Sequence, residues 1–340
     1  VLGKIGTPQS IRPLVQQLAT KPNRELSLEI ARALENLSQK KSLQYLAYLV
    51  EADPQLHEWK TYVASREAKT DDLKVQGYRR AINSMNPFVA YASLIALGCE
   101  AISGLDTDLL DLLRSTNPTT QLQVMKNLRN CPNSRVIPIY MDLLEPSENT
   151  HSVVIGQILK EIGARKLGQF VEILHKFLHH RDPEIQMDSA QALSEIGKSS
   201  SVDQLLKVYY ETEHANLKAT IVRSLGSFQS RRTLTVLFEG LRSPIARIRA
   251  NAVDSLVKQD HKDAVPMIQP LMNDENNRVR ANAALALFRF GQKDTYFFLD
   301  QMLSSDDKWM RLSAIWTLSE IGGEQSHEII MKHLNDSDYD

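Results

Sequence analysis

In the stretch EILHKFLHHRDPE, His175 and His179 stand four residues apart, with His180 and Asp182 just beyond. On a helix, two imidazoles at i and i+4 share a face and can chelate a metal. Here the glutamate of the metalloprotease pattern HExxH is missing and no third ligand is evident. A histidine near a helix C-terminus also suits the dipole there, so the reading without a metal is favoured. Cys99 and Cys131 lie far apart with no CxxC pairing, which points to plain thiols in a reducing, cytoplasmic compartment. GxSxG, glycine-rich phosphate loops, Rossmann fingerprints and metal-binding cysteine sets are all absent from the sequence. The expectation is a protein without catalysis, cofactor or metal.

Basic residues form a second pattern. Lys218, Arg249, Arg280 and Arg311 recur thirty-one residues apart, and Arg247 and Arg278 stand beside two of them. Such a column could line up phosphates. Yet 40 Lys and Arg against 41 Asp and Glu leave a net charge of −1, so no global field draws in nucleic acid or an anionic membrane. Pairing inside the turns between units explains the spacing with no ligand. Trp59, Tyr62, Arg66, Tyr78, Arg79 and Arg80 interleave aromatic and basic groups that could stack bases and contact phosphates. A locally adapted helix interface with snorkelling stems is the favoured account of that cluster.

The spacing of the basic column belongs to a repeat. IQMDSAQALSEIG (185–197), LKATIVRSLGSFQ (217–229), IRANAVDSLVKQD (248–260), VRANAALALFRFG (279–291) and MRLSAIWTLSEIG (310–322) stack in register. Their first place is always apolar, the fifth and eighth are small or apolar, and the ninth is always Leu. Apolar places one, five, six and nine mark one face of an α-helix. Before each copy runs another apolar-periodic stretch, such as VDQLLKVYY, TLTVLFEGL, AVPMIQPLM and TYFFLDQML. Each unit is therefore two antiparallel helices that cannot bury an apolar face alone, so neighbours must stack.

The predicted fold is all-α, a single α-solenoid over 1–340 of about ten to eleven helix-turn-helix units. Regularity is greatest over 117–322, and 51–86 forms an irregular unit where the small-residue column is lost. VLGKIG reads as the tail of one unit and SHEIIMKHLNDSDYD as a first helix without its partner, so the chain is expected to be a fragment of a larger protein. No stretch approaches the roughly 18 apolar residues of a membrane span.

Places four, seven and eleven of the second helices share a face and vary freely, which predicts a wet inner wall. They hold Asp188, Gln191 and Glu195; Thr220, Arg223 and Ser227; Asn251, Asp254 and Lys258; Asn282, Leu285 and Arg289; and Ser313, Trp316 and Glu320. Leu285 and Trp316 interrupt this polar stripe, as an interface anchor would. The predicted protein-binding face consists of Leu285, Trp316, Arg289, Asn282, Asp254 and Arg223. The competing account has Trp316 lying across Leu285 as internal packing.

These columns resemble HEAT repeats, in particular the short variety found in phycobilisome-lyase proteins. Pro13, Pro138 and Pro266 occupy the first helix, where HEAT units often carry proline. Asp53-Pro54 and Asp182-Pro183 match the DP that opens a second helix. The resemblance implies a ladder in which Lys218, Arg249, Arg280 and Arg311 pair with Asp in the preceding turn. Asp274 fits that role before Arg280, whereas Thr212, Ser243 and Ser305 stand at the matching place elsewhere. It also implies a scaffold or adaptor gripping a protein or peptide along a concave second-helix wall. Two alternatives stay open. The likeness to bilin lyases implies a lyase-like enzyme or chaperone, for which Ala92, Ile95 and Cys99 form an apolar stripe. HEAT-like DNA glycosylases, which hold DNA on a basic wall, imply a nucleic-acid reading of the basic column.

Overall fold

The structure, a computed structural model, describes residues 131–145, 150–292 and 294–333, with isolated positions earlier in the chain. The chain divides into two compact units, Val1–Gln157 and Ile158–Asp340. Among the described residues the regular elements are helices, with no strand. In the first unit, α1 (Asn133–Leu144) carries Pro138 inside and buries Val136, Ile139, Tyr140, Leu143 and Leu144. The irregular stretch 51–86 lies almost wholly outside the described residues, as do Ala92, Ile95 and Cys99. Of the aromatic and basic cluster only Tyr78, which is buried, and Arg80, which is exposed, are described.

After α2 (Ser152–Ala164) the second unit alternates first and second helices in the predicted register. The first helices are α3 (Val171–Phe177), α5 (Val202–Glu211), α7 (Arg231–Gly240), α9 (Val265–Ile268) and α11 (Thr295–Leu303). The second helices are α4 (Pro183–Ile196), α6 (Ala215–Leu225), α8 (Ala246–Lys258), α10 (Asn277–Arg289) and α12 (Lys308–Ile321), followed by α13 (Gly323–Lys332). This is an all-α solenoid. The places expected to point inward do so: Ile185, Leu217, Ile248, Val279 and Met310 at the first, and Leu193, Leu225, Leu256, Leu287 and Leu318 at the ninth, are all buried.

Polar side chains start most of the second helices. Asp182, His214, Asn276 and Asp307 each accept a backbone N–H from the first turn of α4, α6, α10 and α12, satisfying donors that have no partner inside a helix. Pro183 opens α4 where its missing N–H costs nothing, and Gly197 ends it at φ 74°, a left-handed conformation glycine adopts without a Cβ clash. One first helix departs from the regular pattern. In VPMIQPLMN the α-helix stops at Ile268 and a 3-10 segment, Gln269–Asn273, takes over. Pro270 has no N–H for the carbonyl four residues back and its ring crowds that carbonyl, so a second proline breaks what Pro266 alone permits.

Consecutive second helices pack directly on one another, α4 on α6, α6 on α8, α8 on α10 and α10 on α12, while first helices lie chiefly on their own second helix. Small residues make this closeness possible. Gly226 marks one such approach: a methyl group there would sit 2.9 Å from the Cα of Ser255 and nearer still to its side chain. Gly226 caps α6 in the right-handed helical conformation, so alanine there gains about 0.4–1 kcal/mol by restricting the unfolded chain, but overpacking against backbone costs about 1–3 kcal/mol. Gly226→Ala is therefore expected to lower the urea midpoint, and a midpoint equal to or above that of the native protein would contradict the packing described.

Candidate functional site

The exposed edge of the second-helix layer is built from the residue just before place one together with places seven and eleven. Glu184, Asn216, Arg247, Arg278 and Trp309 are exposed in all five helices, as are Gln191, Arg223, Asp254 and Trp316 at the seventh place. Lys258, Arg289 and Glu320 are exposed at the eleventh. This is the open face.

Four residues expected on the wet face lie inside instead, two of them, Asn282 and Leu285, members of the predicted binding face. Thr220, Asn251 and Asn282, expected to be wet, are only 4%, 3% and 6% exposed. The second helices are so close that the fourth place lies between them: Asn251 Nδ2 donates to the Ala219 carbonyl at 2.7 Å and Asn282 Nδ2 to the Ala250 carbonyl at 3.3 Å. Ser255 Oγ does the same to Val222 O at 3.1 Å. Leu285, 7% exposed, belongs to the unbroken buried run 281–287; an apolar side chain gains by leaving water where Arg223 and Asp254 at the same place stay out. Trp316 does not lie sealed beneath it.

Between α10 and α12 the face opens into a groove of about 530 Å³ lined by Asp254, Asn277, Arg278, Ala281, Asn282, Trp309, Leu312, Ser313 and Trp316. Trp309, Leu312 and Trp316 stand at i, i+3 and i+7 on one side of α12 and are 61%, 42% and 49% exposed. Asn277 Nδ2 donates to Ser313 Oγ at 2.6 Å and to the Trp309 carbonyl at 3.2 Å, tying the two walls at one end. Of the predicted site residues, Asp254, Asn282 and Trp316 meet in this groove. Arg223, Arg289 and Leu285 do not line it. Trp309 and Leu312 were not anticipated, although Trp309 precedes Trp316 by seven residues and that spacing is visible in the sequence.

The basic column has a structural role in the turns. Ser243, Asp274, Ser305 and Thr212 each accept the N–H two residues on with a side-chain oxygen, at 2.9–3.2 Å, so Ser and Thr replace Asp there without loss. Arg249 and Arg311 then donate to the carbonyls of Ser243 and Ser305, six residues back, at 2.8 Å, and Arg280 to that of Asp274. The expected pairing of Asp274 with Arg280 through the carboxylate needs correction. That carboxylate instead takes two bonds of 2.7 Å from Arg249 of the preceding unit, because the planar guanidinium fork spans both oxygens. Lys218 lies 6.0 Å from the Tyr209 ring centroid and makes no such clasp.

Burial pushes the Asp274 carboxyl up, but Arg249, the Asn276 N–H and nearby Arg280 outweigh it and hold the group below its ordinary 3.8. The opposite holds at Asp254. It keeps contact with solvent, yet protein crowding the groove wall desolvates the carboxylate and raises it to about 6, against Arg278, Arg289, Arg223 and a bond from Asn282.

The histidines assemble no metal site. The α-helix ends at Phe177, so His175 and His179 do not share a continuous helical face. His175 Nε2 is 3.3 Å from Ser201 Oγ, and His180 Nδ1 accepts the Asp182 N–H at 3.1 Å. Among the described residues no group of three or more potential ligands gathers, and no helix is long and apolar enough to cross a membrane.

A family model described as HEAT repeats matches residues 147–226, 202–287, 234–310 and 266–340. The chain belongs to the HEAT-repeat family. Solved structures resembling it include the complex of CpcE and CpcF of phycocyanin lyase from Nostoc sp. PCC7120, 19% identical over 57% of this chain and 79% of that one, with a TM-score of 0.44. An engineered protein is 18% identical over 87% of this chain and 95% of its own, with a TM-score of 0.41. YibA of Escherichia coli is 15% identical over 77% and 96%, with a TM-score of 0.47. No curated protein matches the sequence. The HEAT assignment rests on the repeat match and on the helix pairs themselves.

Two substitutions test the electrostatics of these HEAT units. The side chains of Arg249 and Asp274 are 10% and 7% exposed, so Arg249→Ala strands a buried carboxylate and is expected to cost about 3–5 kcal/mol. Because Asp274 titrates lower when folded, its contribution is present above the ordinary carboxylate range and vanishes as pH falls through the folded value. The stability gap between native protein and Asp274→Asn should therefore close in acid, and a gap that persists there would refute the clasp. Asp254 carries the reverse sign: its folded pKa is raised, so ionisation disfavours the fold as pH climbs from about 4 to 6. In thermal melts Asp254→Asn should match the native protein near pH 4 and exceed it near pH 7, whereas a constant difference would contradict the desolvation.

Proposed function

We propose that this HEAT protein is a non-catalytic scaffold or adaptor that holds a protein or peptide partner on the open face of its second helices. The observation that carries the reading is the groove between α10 and α12, with Trp309, Leu312 and Trp316 half exposed along one wall. Leaving three large apolar side chains in water on one stripe forfeits about 25 cal/mol for each Å² that packing would remove. Such stripes mark interfaces, and tryptophan is enriched among the few residues that dominate binding energy. The groove volume falls in the range that accommodates a large side chain or small ligand. Asp254 and Asn282 supply polar groups beside it, and the charges of Arg223 and Arg289 act on Asp254 in its wall.

Affinity capture from lysate of the source organism, comparing native protein with Trp309→Ala/Trp316→Ala, tests this reading. Both side chains are largely solvated, so melting temperature and circular dichroism should hardly change. Recovered partners should fall at least tenfold, the loss of about 2 kcal/mol typical of an anchor. Undiminished recovery of the same partners by the folded double variant would refute it.

A further inference from the structure

The charge on the open face narrows the partner further. Across α6, α8 and α10 the exposed positions hold Arg223, Arg247, Lys258, Arg278 and Arg289 against a single carboxylate, Asp254. The chain as a whole is balanced, with 40 basic and 41 acidic residues, so this is a local concentration. Several cations elsewhere do find carboxylates: Lys160 with Asp188 at 3.1 Å, Arg249 with Asp274 at 2.7 Å and Lys332 with Asp300 at 3.0 Å. Among the described residues, none of the five face cations forms an ion pair within 4.0 Å. Their observed contacts are with neutral groups: Arg223 with Gln191 Oε1 at 3.3 Å, Arg247 with Asn216 Oδ1 at 3.0 Å and Lys258 with Ser227 Oγ at 2.7 Å.

Resting on the partner-binding reading above, we infer that this face takes an acidic peptide segment bearing one aromatic or large aliphatic side chain. The apolar side chain enters the groove between α10 and α12, and the carboxylates lie over the cations of α10, α8 and α6. Packed helices are 8–10 Å apart, so face cations recur at about the distance an extended chain covers in three residues. A strip three helices wide is bounded by Glu184 and Glu195 on α4 and by Glu320 on α12. That boundary suits a short acidic segment and repels a long polyanion. Asp254 in the groove wall further disfavours a phosphate there, whereas it can accept a backbone N–H from a peptide.

The test uses the full chain and four fluorescein-labelled probes followed by polarisation: a peptide with glutamate at every third position and one terminal phenylalanine, its lysine counterpart, its alanine-for-phenylalanine counterpart, and oligo-dT. The acidic phenylalanine peptide is expected to bind at least tenfold tighter than the lysine peptide, and to lose affinity as salt screens the charges. Arg223→Glu/Arg247→Glu/Arg278→Glu/Arg289→Glu should weaken it at least tenfold, and Asp254→Asn should strengthen it. Trp309→Ala/Trp316→Ala should bring the phenylalanine peptide down to the alanine one. Equal binding of acidic and lysine peptides overturns the inference, as does tighter, steeply salt-dependent binding of oligo-dT. In lysate capture, loss with the tryptophan variant but not with the charge-reversed one leaves the partner-binding reading standing and removes the acidic partner. Capture unchanged in both removes the two together.

Discussion

The close contact between consecutive second helices is the constraint on which the rest of this HEAT array depends. It requires Gly, Ala and Ser where α6, α8 and α10 meet, and it places Asn251, Asn282 and Ser255 within reach of the backbone carbonyls of the helix before them. A side-chain donor aimed at a carbonyl already used within its helix adds direction to a contact that apolar packing alone would leave free to slide. Every other feature takes its place from that spacing. First helices rest on their own second helix, turns close over the ends, and the exposed positions are left in a row.

The turns show how different residues satisfy one need. Thr212, Ser243, Asp274 and Ser305 share the same backbone bond, so the recurring requirement is a short side chain whose oxygen reaches the N–H two residues on rather than a charge. Only Asp274 adds a second function by clasping Arg249 across the boundary between units. The charged pair is thus an addition to a turn that closes without it.

Much of the fold was legible in the sequence. Leu at the ninth place and an apolar first place reported the buried side of each second helix, and the thirty-one-residue step reported the stacking. The site was legible only in part. Periodicity says which residues share a side of a helix but not how near the next helix comes, so Asn251, Asn282 and Leu285 looked wet and are enclosed. Trp309 escaped notice because it precedes the first apolar column, where capping rather than binding is the usual concern. The break at Pro270 follows from its place beyond the first turn, where a proline disrupts the helix, whereas Pro266 sits in the first turn where it fits.

The asparagines that bridge α6, α8 and α10 have one more consequence. They bond unit to unit from within the layer, whereas the tryptophans and most of the charged groups that a guest molecule meets stand at the exposed edge. Recognition and architecture are thereby largely written in separate columns. Arg223, Arg278 or Trp316 could be exchanged over generations for residues of another character while the scaffold beneath them persists, which allows one frame to acquire new specificities by surface change alone.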